Sequence, residues 1–259
     1  MRVIMNVYVL FLILCVLTVC SLFIGVSRVP ITELFQFNAH QLNILWASRI
    51  PRTVSILISG SALALAGLIM QQMMQNKFVS PTTAGTMEWA KLGILISLIF
   101  FPKQHILLKL VFAVLCSLFG TFMFVQIVQR IKFKDVIFVP LIGIMLGGIV
   151  SSFATFIALR TNAVQSIGNW LNGNFAIITS GRYEVLYLSI PLLILTYIFA
   201  NQFTIAGMGR DFSKNLGLNY EWIMNIGLFI TATMTALVVV TVGTLPFLGL
   251  IVPNIVSIF

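Results

Sequence analysis

The sequence predicts an all-α fold, a polytopic membrane helix bundle forming one domain over residues 1–259. Three observations point there. Only 8% of the residues are charged and 59% are hydrophobic, with a mean hydropathy of +1.08, a balance no soluble domain of this size sustains. Apolar runs recur at lengths that cross a bilayer, since ~20 residues at 1.5 Å each span ~30 Å of hydrocarbon. Small residues gather inside several runs, marking close helix contacts, because lipid is as apolar as Leu and rewards no Leu-on-Leu packing.

The same composition excludes other classes. The net charge of +9 comes from basic residues that punctuate apolar spans, so no nucleic-acid partner is expected and membrane lipid is the surrounding medium. Cys15, Cys20 and Cys116 lie inside apolar runs and form neither a disulfide framework nor a metal-ligand pattern. No G-x-x-x-x-G-K-[ST] phosphate loop, H-E-x-x-H helix, nucleophile–base set or paired-carboxylate cleft occurs. The chain therefore reads as a non-enzyme with no cofactor and no metal site, and any ATP hydrolysis belongs to a partner.

In chain order, the first span runs from about Ile4 to Ile24. It is too long for a secretory signal and lacks an A-x-A-like cleavage site, so it reads as an uncleaved anchor. Gly25 to Ser48 is a mixed loop with Arg28, Pro30 and Glu33, lying partly on the membrane surface. The second span, Thr53 to Met70, carries Ser59, Gly60, Ser61, Ala62, Ala64, Ala66 and Gly67 and is buried among other helices. A third span covers Thr83 to Phe101, and a fourth Ile106 to Val128. The compact basic loop QRIKFKD, Gln129 to Asp135, marks the cytoplasmic side and places the N-terminus inside, although Lys and Arg divide evenly over all loops.

The fifth span, Val136 to Leu159, has Gly143, Gly147, Ser151 and Thr155 at intervals of four. That is one continuous small face, either a packing seam or the wall of a pore. Arg160 to Arg182 is a polar segment containing NWLNGNF, long enough for a short helix. The sixth span runs from Tyr183 to Ala200, and an internal loop follows from Gly207 to Trp222. A seventh span reaches Val242, and GTLPFLGLIVPNIVSIF begins an eighth.

One stretch is more specific: RIPRTVSILISGSALALAGLIMQQMMQNKFVSP, from Arg49 to Pro81. Its R-x-P-R start, small-residue span, G-x-x-M-Q-x-x-x-x-N and later proline resemble the FecCD family, the permease subunits of ABC importers for iron–siderophores, haem and cobalamin. The matched positions are Arg49, Pro51, Arg52, Gly60, Gly67, Gln71, Asn76 and Pro81, with Lys77 standing where the family has proline. The resemblance implies a permease of the cobalamin/iron-siderophore type with about eight of ten spans present, the chain being C-terminally truncated. It implies three protein partners: a cytoplasmic ATP-binding subunit, an extracellular siderophore-binding lipoprotein, and a second permease as homo- or heterodimer.

The resemblance also implies site roles. Arg49 and Arg52 would pair with glutamates of the binding protein, a task suited to the planar guanidinium fork, although arginines at a helix start also snorkel to the interface. D-x-x-x-N-L-G-L within Gly207 to Trp222 resembles the ATPase coupling motif, with Gly217 supplying the turn and Leu216 and Leu218 the apolar anchors. Arg210 stands where the family has an acid, and Asp211 follows it; the alternative is an ordinary cytoplasmic loop. The Gly143-to-Thr155 helix would line the translocation path at a dimer axis.

Glu88 and Lys91 depart from the broad family. Their i, i+3 spacing allows an ion pair near the cytoplasmic side, serving either the interface or the pathway. The surrounding FVSPTTAGTMEWAKLGILIS is similar to the catecholate, petrobactin-type subgroup, which implies a ferric-siderophore importer of the plasma membrane working by alternating access. A haem or cobalamin permease stays open as an alternative. So does a secondary transporter, which predicts an internal repeat with broken helices; the sequence displays no convincing repeat.

Overall fold

The computed structural model describes residues 7–24, 39–102, 105–131, 136–165, 168 and 172–258. Much of the expected surface loop after Gly25, the charged core of QRIKFKD, and part of NWLNGNF lie outside the described residues, and so does the basis for orientation.

Helix α1 is Val7–Phe23. Helix α2 (Ala39–Ile44) passes through a wide π-helical turn, Leu45–Arg49, directly into α3 (Ile50–Met74). Pro51 accounts for the turn, because it has no N–H for the Ala47 carbonyl and its ring pushes that carbonyl away. The carbonyl so freed accepts from the Ser180 N–H at 3.2 Å, and the Ser180 hydroxyl donates to the Trp46 carbonyl at 3.0 Å. A proline in the sequence thereby fastens a segment far along the chain across the start of α3.

At its other end α3 stops at Gln75, which adopts the left-handed conformation (φ 50°), and the Asn76 N–H closes onto the Gln71 carbonyl at 3.0 Å. Asn76 then holds the turn: its Nδ2 donates to the Val136 carbonyl (2.8 Å) and its Oδ1 accepts from the Phe78 N–H (2.9 Å). The chain doubles back into the bundle. Helix α4 (Thr86–Phe100) starts at Gly85, whose φ of +77° favours glycine, opposite the middle of α6 (Phe138–Arg160).

This corrects the expected third span. Fifteen residues reach only about 22 Å, so α4 is a partial crossing that begins inside the bundle. Helix α5 (Ile106–Arg130) lies close along it. A Cβ on Gly93 would come within 2.3 Å of the Phe112 carbonyl, and one on Gly120 within 2.0 Å of the Trp89 indole. Hydroxyls complete the contact: Thr86 meets Thr121 at 2.9 Å, and Ser117 donates to the Ala232 carbonyl at 3.1 Å.

After α6, a 3₁₀ turn (Tyr183–Leu188) leads into α7 (Ser189–Ile198) and then α8 (Ala200–Ala206), bent by 61°. The expected sixth span, Tyr183 to Ala200, thus breaks at its end and continues as α8, with Phe199 at the break set edge-on against Trp222. Helix α9 (Arg210–Asn215) precedes α10 (Tyr220–Thr241). Helix α10 is the centre of the core: Ile230, Ala232, Met234, Thr235, Ala236, Leu237 and Val238 are all essentially inaccessible.

Helix α11 (Leu248–Val256) is a second partial crossing. It enters at Phe247 (φ 62°), lays Gly249 on Gly67, and reaches Lys77, whose carbonyl accepts from Asn254 Nδ2 at 2.9 Å. Among the described residues, four helices are long and apolar enough to cross a membrane, or five with the bent pair; α1, α4 and α11 are shorter. These helices overlap the expected spans, but the first long one begins at Leu42, so the described part of the expected Gly25–Ser48 loop is helical and runs straight into α3.

Candidate functional site

Three groups of expected residues occupy three levels of the bundle. Arg49 and Arg52 stand at the Ser180 end. The Arg49 guanidinium is covered (6% exposed), and its Nη1 donates to the Ile24 carbonyl at the end of α1. Arg52 is half-buried, and its Nε meets no hydrogen-bond partner among the described residues. The two arginines are therefore unequal: one braces α1 against α3, and the other retains donor capacity.

The small face of α6 divides in two. A Cβ on Gly143 would sit 2.1 Å from the Thr83 carbonyl, and one on Gly147 3.2 Å from the Gly85 Cα. These two glycines form a packing seam that admits the turn before α4. Ser151 and Thr155 continue the face beyond it and, with Glu88, Lys91, Ala158 and Val164, enclose a small pocket of about 50 Å³.

Lys91 Nζ lies 2.6 Å from Glu88 Oε2, with the two side chains 10% and 27% exposed. The pair expected from i, i+3 spacing is formed, but its level differs from the expectation. Because α4 starts opposite Gly147 and runs toward Arg160, Glu88 and Lys91 stand toward the Arg160 end of α6, away from the Phe138 end that follows the basic loop. Hydropathy alone could not reveal this, since it treats α4 as a full crossing.

At the opposite end, the Gly207–Trp222 connection folds as a helix, a sharp turn and a helix. Gly209 (φ +112°) opens α9 and Gly217 (φ +77°) closes it. The Gly217 N–H donates to the Lys214 carbonyl (2.9 Å), and the Leu218 N–H donates to the Ser213 carbonyl (3.0 Å). Asn219 caps α10 by accepting from the Trp222 N–H at 3.2 Å. Leu216 is exposed, as are Met208, Phe212 and Trp222, giving the connection an apolar outer surface; Leu218 is partly covered, and Asp211 is exposed.

Two contributors escape sequence reading. Ser213 is inaccessible, and its hydroxyl donates to the Gly209 carbonyl (2.7 Å) and lies 3.0 Å from the Ile205 carbonyl, fixing α9 on α8. Glu221 pairs with Arg210 at 2.7 Å across the connection. A charge of opposite sign just beyond Gly217 was the available signal. Arg210 and Glu221 border a cavity of about 520 Å³, between this connection and the ends of α3, α5 and α6, lined also by Met74, Gln75, Asn76 and Val136.

Among the described residues no group of three or more His, Cys, Asp or Glu side chains comes together. The arrangement has known counterparts. A petrobactin import system permease protein of Bacillus subtilis, YclN, is 54% identical over 255 residues, covering 98% of this chain and 81% of that protein. A petrobactin import system permease protein of Bacillus anthracis, FatD, is 40% identical over 248 residues, covering 96% and 72%. The ferric-anguibactin transport system permease protein FatD of Vibrio anguillarum is 38% identical over 248 residues, covering 95% and 79%.

Among solved structures, an inward-facing metal-chelate type ABC transporter superposes with a TM-score of 0.76 at 24% identity, covering 97% of this chain and 80% of that one, a likeness of fold. That likeness extends over almost the whole chain, so the broken α7–α8 span and the two partial crossings lie within the shared fold. The FecCD transport family model matches residues 12–259, and the chain belongs to that family of membrane transport subunits.

Proposed function

We propose that the chain is the permease subunit of an ABC importer that carries a ferric siderophore of catecholate type, petrobactin foremost, across the plasma membrane by alternating access. The observation that carries this reading is the 54% identity with the petrobactin permease YclN over 255 residues. The bundle supplies the path and no energy source, so a separate cytoplasmic ATP-binding subunit drives it. Its docking surface is the Gly207–Trp222 connection, where a glycine turn and exposed Phe212, Leu216 and Trp222 offer an apolar knob.

The cavity end faces the cytoplasm on this reading, with the N-terminus on the same side of the membrane. The Ser180 end faces outward and receives a siderophore-binding lipoprotein. Arg52 is the principal docking arginine there, and Arg49 braces the helix that presents it. A second permease, either a copy or a homologue, packs on the outward face of α6, where Met145, Ile149, Phe153 and Phe156 are exposed. Ser151, Thr155 and the Glu88–Lys91 pair border the path behind that face.

The test is uptake of radio-iron-labelled ferric petrobactin by iron-starved cells with and without the gene, with ATP depletion and unlabelled chelate as controls. Loss of saturable, ATP-dependent uptake on deletion supports the proposal. Unchanged uptake in a strain without a redundant importer overturns it, and parallel arms with haem and cobalamin identify the alternative cargo.

A further inference from the structure

We propose that Glu221 is a positioning residue for energy coupling: its ion pair with Arg210 ties α9 to the first turn of α10, so that a push on α9 reaches α10. The proposal rests on reading Gly207–Trp222 as the ATPase-docking connection.

The geometry is specific. Helix α9 is six residues long and lies between two glycines at positive φ, Gly209 (φ +112°) and Gly217 (φ +77°). Such positions bend easily, and a short rod between them needs cross-ties to move as one body. Ser213 supplies one tie, to the carbonyls of Ile205 and Gly209. The other runs from Arg210 Nη2 to Glu221 Oε1 over 2.7 Å, joining the first residue of α9 to the first turn of α10.

The route beyond is set by packing. The 520 Å³ cavity lies between α9 and the ends of α5 and α6, while Gly207 and Gly209, just before α9, sit against Gln72 and Gln75 at the end of α3. Helix α10, by contrast, packs along α3, α4 and α5 through a nearly continuous buried face. Motion delivered to α10 therefore reaches the two partial crossings' neighbours at once. The pair is 59% and 61% exposed, and exposed ion pairs are weak, which suits a tie that sets position without freezing the connection.

The experiment uses the full chain with its ATP-binding subunit, second permease and binding protein in proteoliposomes, reading ferric petrobactin transported per ATP hydrolysed. In E221Q the complex is expected to assemble and hydrolyse ATP, with transport per ATP falling about twofold to fivefold, as far as a weak exposed pair can carry. E221D, which retains the charge, and the swap R210E/E221R are expected to recover most of that loss. An unchanged ratio in E221Q, or a swap no better than E221Q, overturns the assignment. If instead the wild-type chain captures no ATP-binding subunit, the docking reading fails as well, which separates the two ideas.

Discussion

Gly67 and Gly249 meet backbone to backbone: a Cβ on Gly67 would lie 1.8 Å from the Gly249 carbonyl oxygen. The contact seats α11 against α3 partway along the bundle and leaves no room for any side chain. Gly60, on the same helix, faces open space, although it belongs to the same small-residue run.

The first prediction follows. Gly67→Ala is expected to destabilise the chain by about 1–3 kcal/mol, the usual cost of overpacking, or to displace α11 outright. Gly60→Ala should be neutral within about 0.5 kcal/mol, as surface-like substitutions are. Thermal unfolding in detergent, followed by size-exclusion recovery, compares the two.

Gly217 makes a different demand. Its φ of +77° penalises any side chain while its surroundings are open, so the cost is conformational and not steric crowding. Gly217→Val is expected to cost about 1–2 kcal/mol locally and to weaken capture of the ATP-binding subunit. Gly217→Asn, which tolerates left-handed backbone, should retain most of it. Co-purification from membranes reads the difference.

Arg49 and Arg52 should separate in function. Arg52→Glu is expected to weaken binding-protein capture and reduce its salt dependence, leaving folding intact. Arg49→Glu removes the donor to the Ile24 carbonyl and buries a carboxylate at a 6% exposed position, so lower yield of folded protein is expected first. Binding titrations at two salt concentrations, with expression levels alongside, distinguish them.

Glu88 and Lys91 offer a test by pairing. Removing one partner strands a charge, at a cost below the roughly 3–5 kcal/mol of a fully buried pair because Glu88 keeps some exposure. Replacing both, in E88Q/K91M, should be better tolerated than K91M alone. Unfolding midpoints of the three variants, E88Q included, measure the coupling directly.

The sequence determined what depends on each segment alone. An apolar run partitions into lipid whatever its neighbours are, so the approximate places of the apolar spans were legible, whereas α2, inside the expected loop, and α8, past the expected sixth span, were not. Local spacing was legible too: Glu88 and Lys91, three residues apart, form an ion pair, and Gly217 has the positive φ of a turn. The family emerged from the order of Arg49, Pro51, Arg52, Gln71 and Asn76, several of which prove to hold helix ends.

Only the tertiary structure decided where those helices begin in depth and which faces meet. That α4 and α11 are partial crossings depends on Gly85 finding Gly147 and Gly249 finding Gly67, contacts between residues far apart in sequence. The burial of Arg49 depends on α1, and the tie from Arg210 on Glu221 beyond the turn. Hydropathy measures a segment's affinity for lipid and carries no information about its partner, so the seam, the level of the ion pair and the anchoring of α9 required the folded chain.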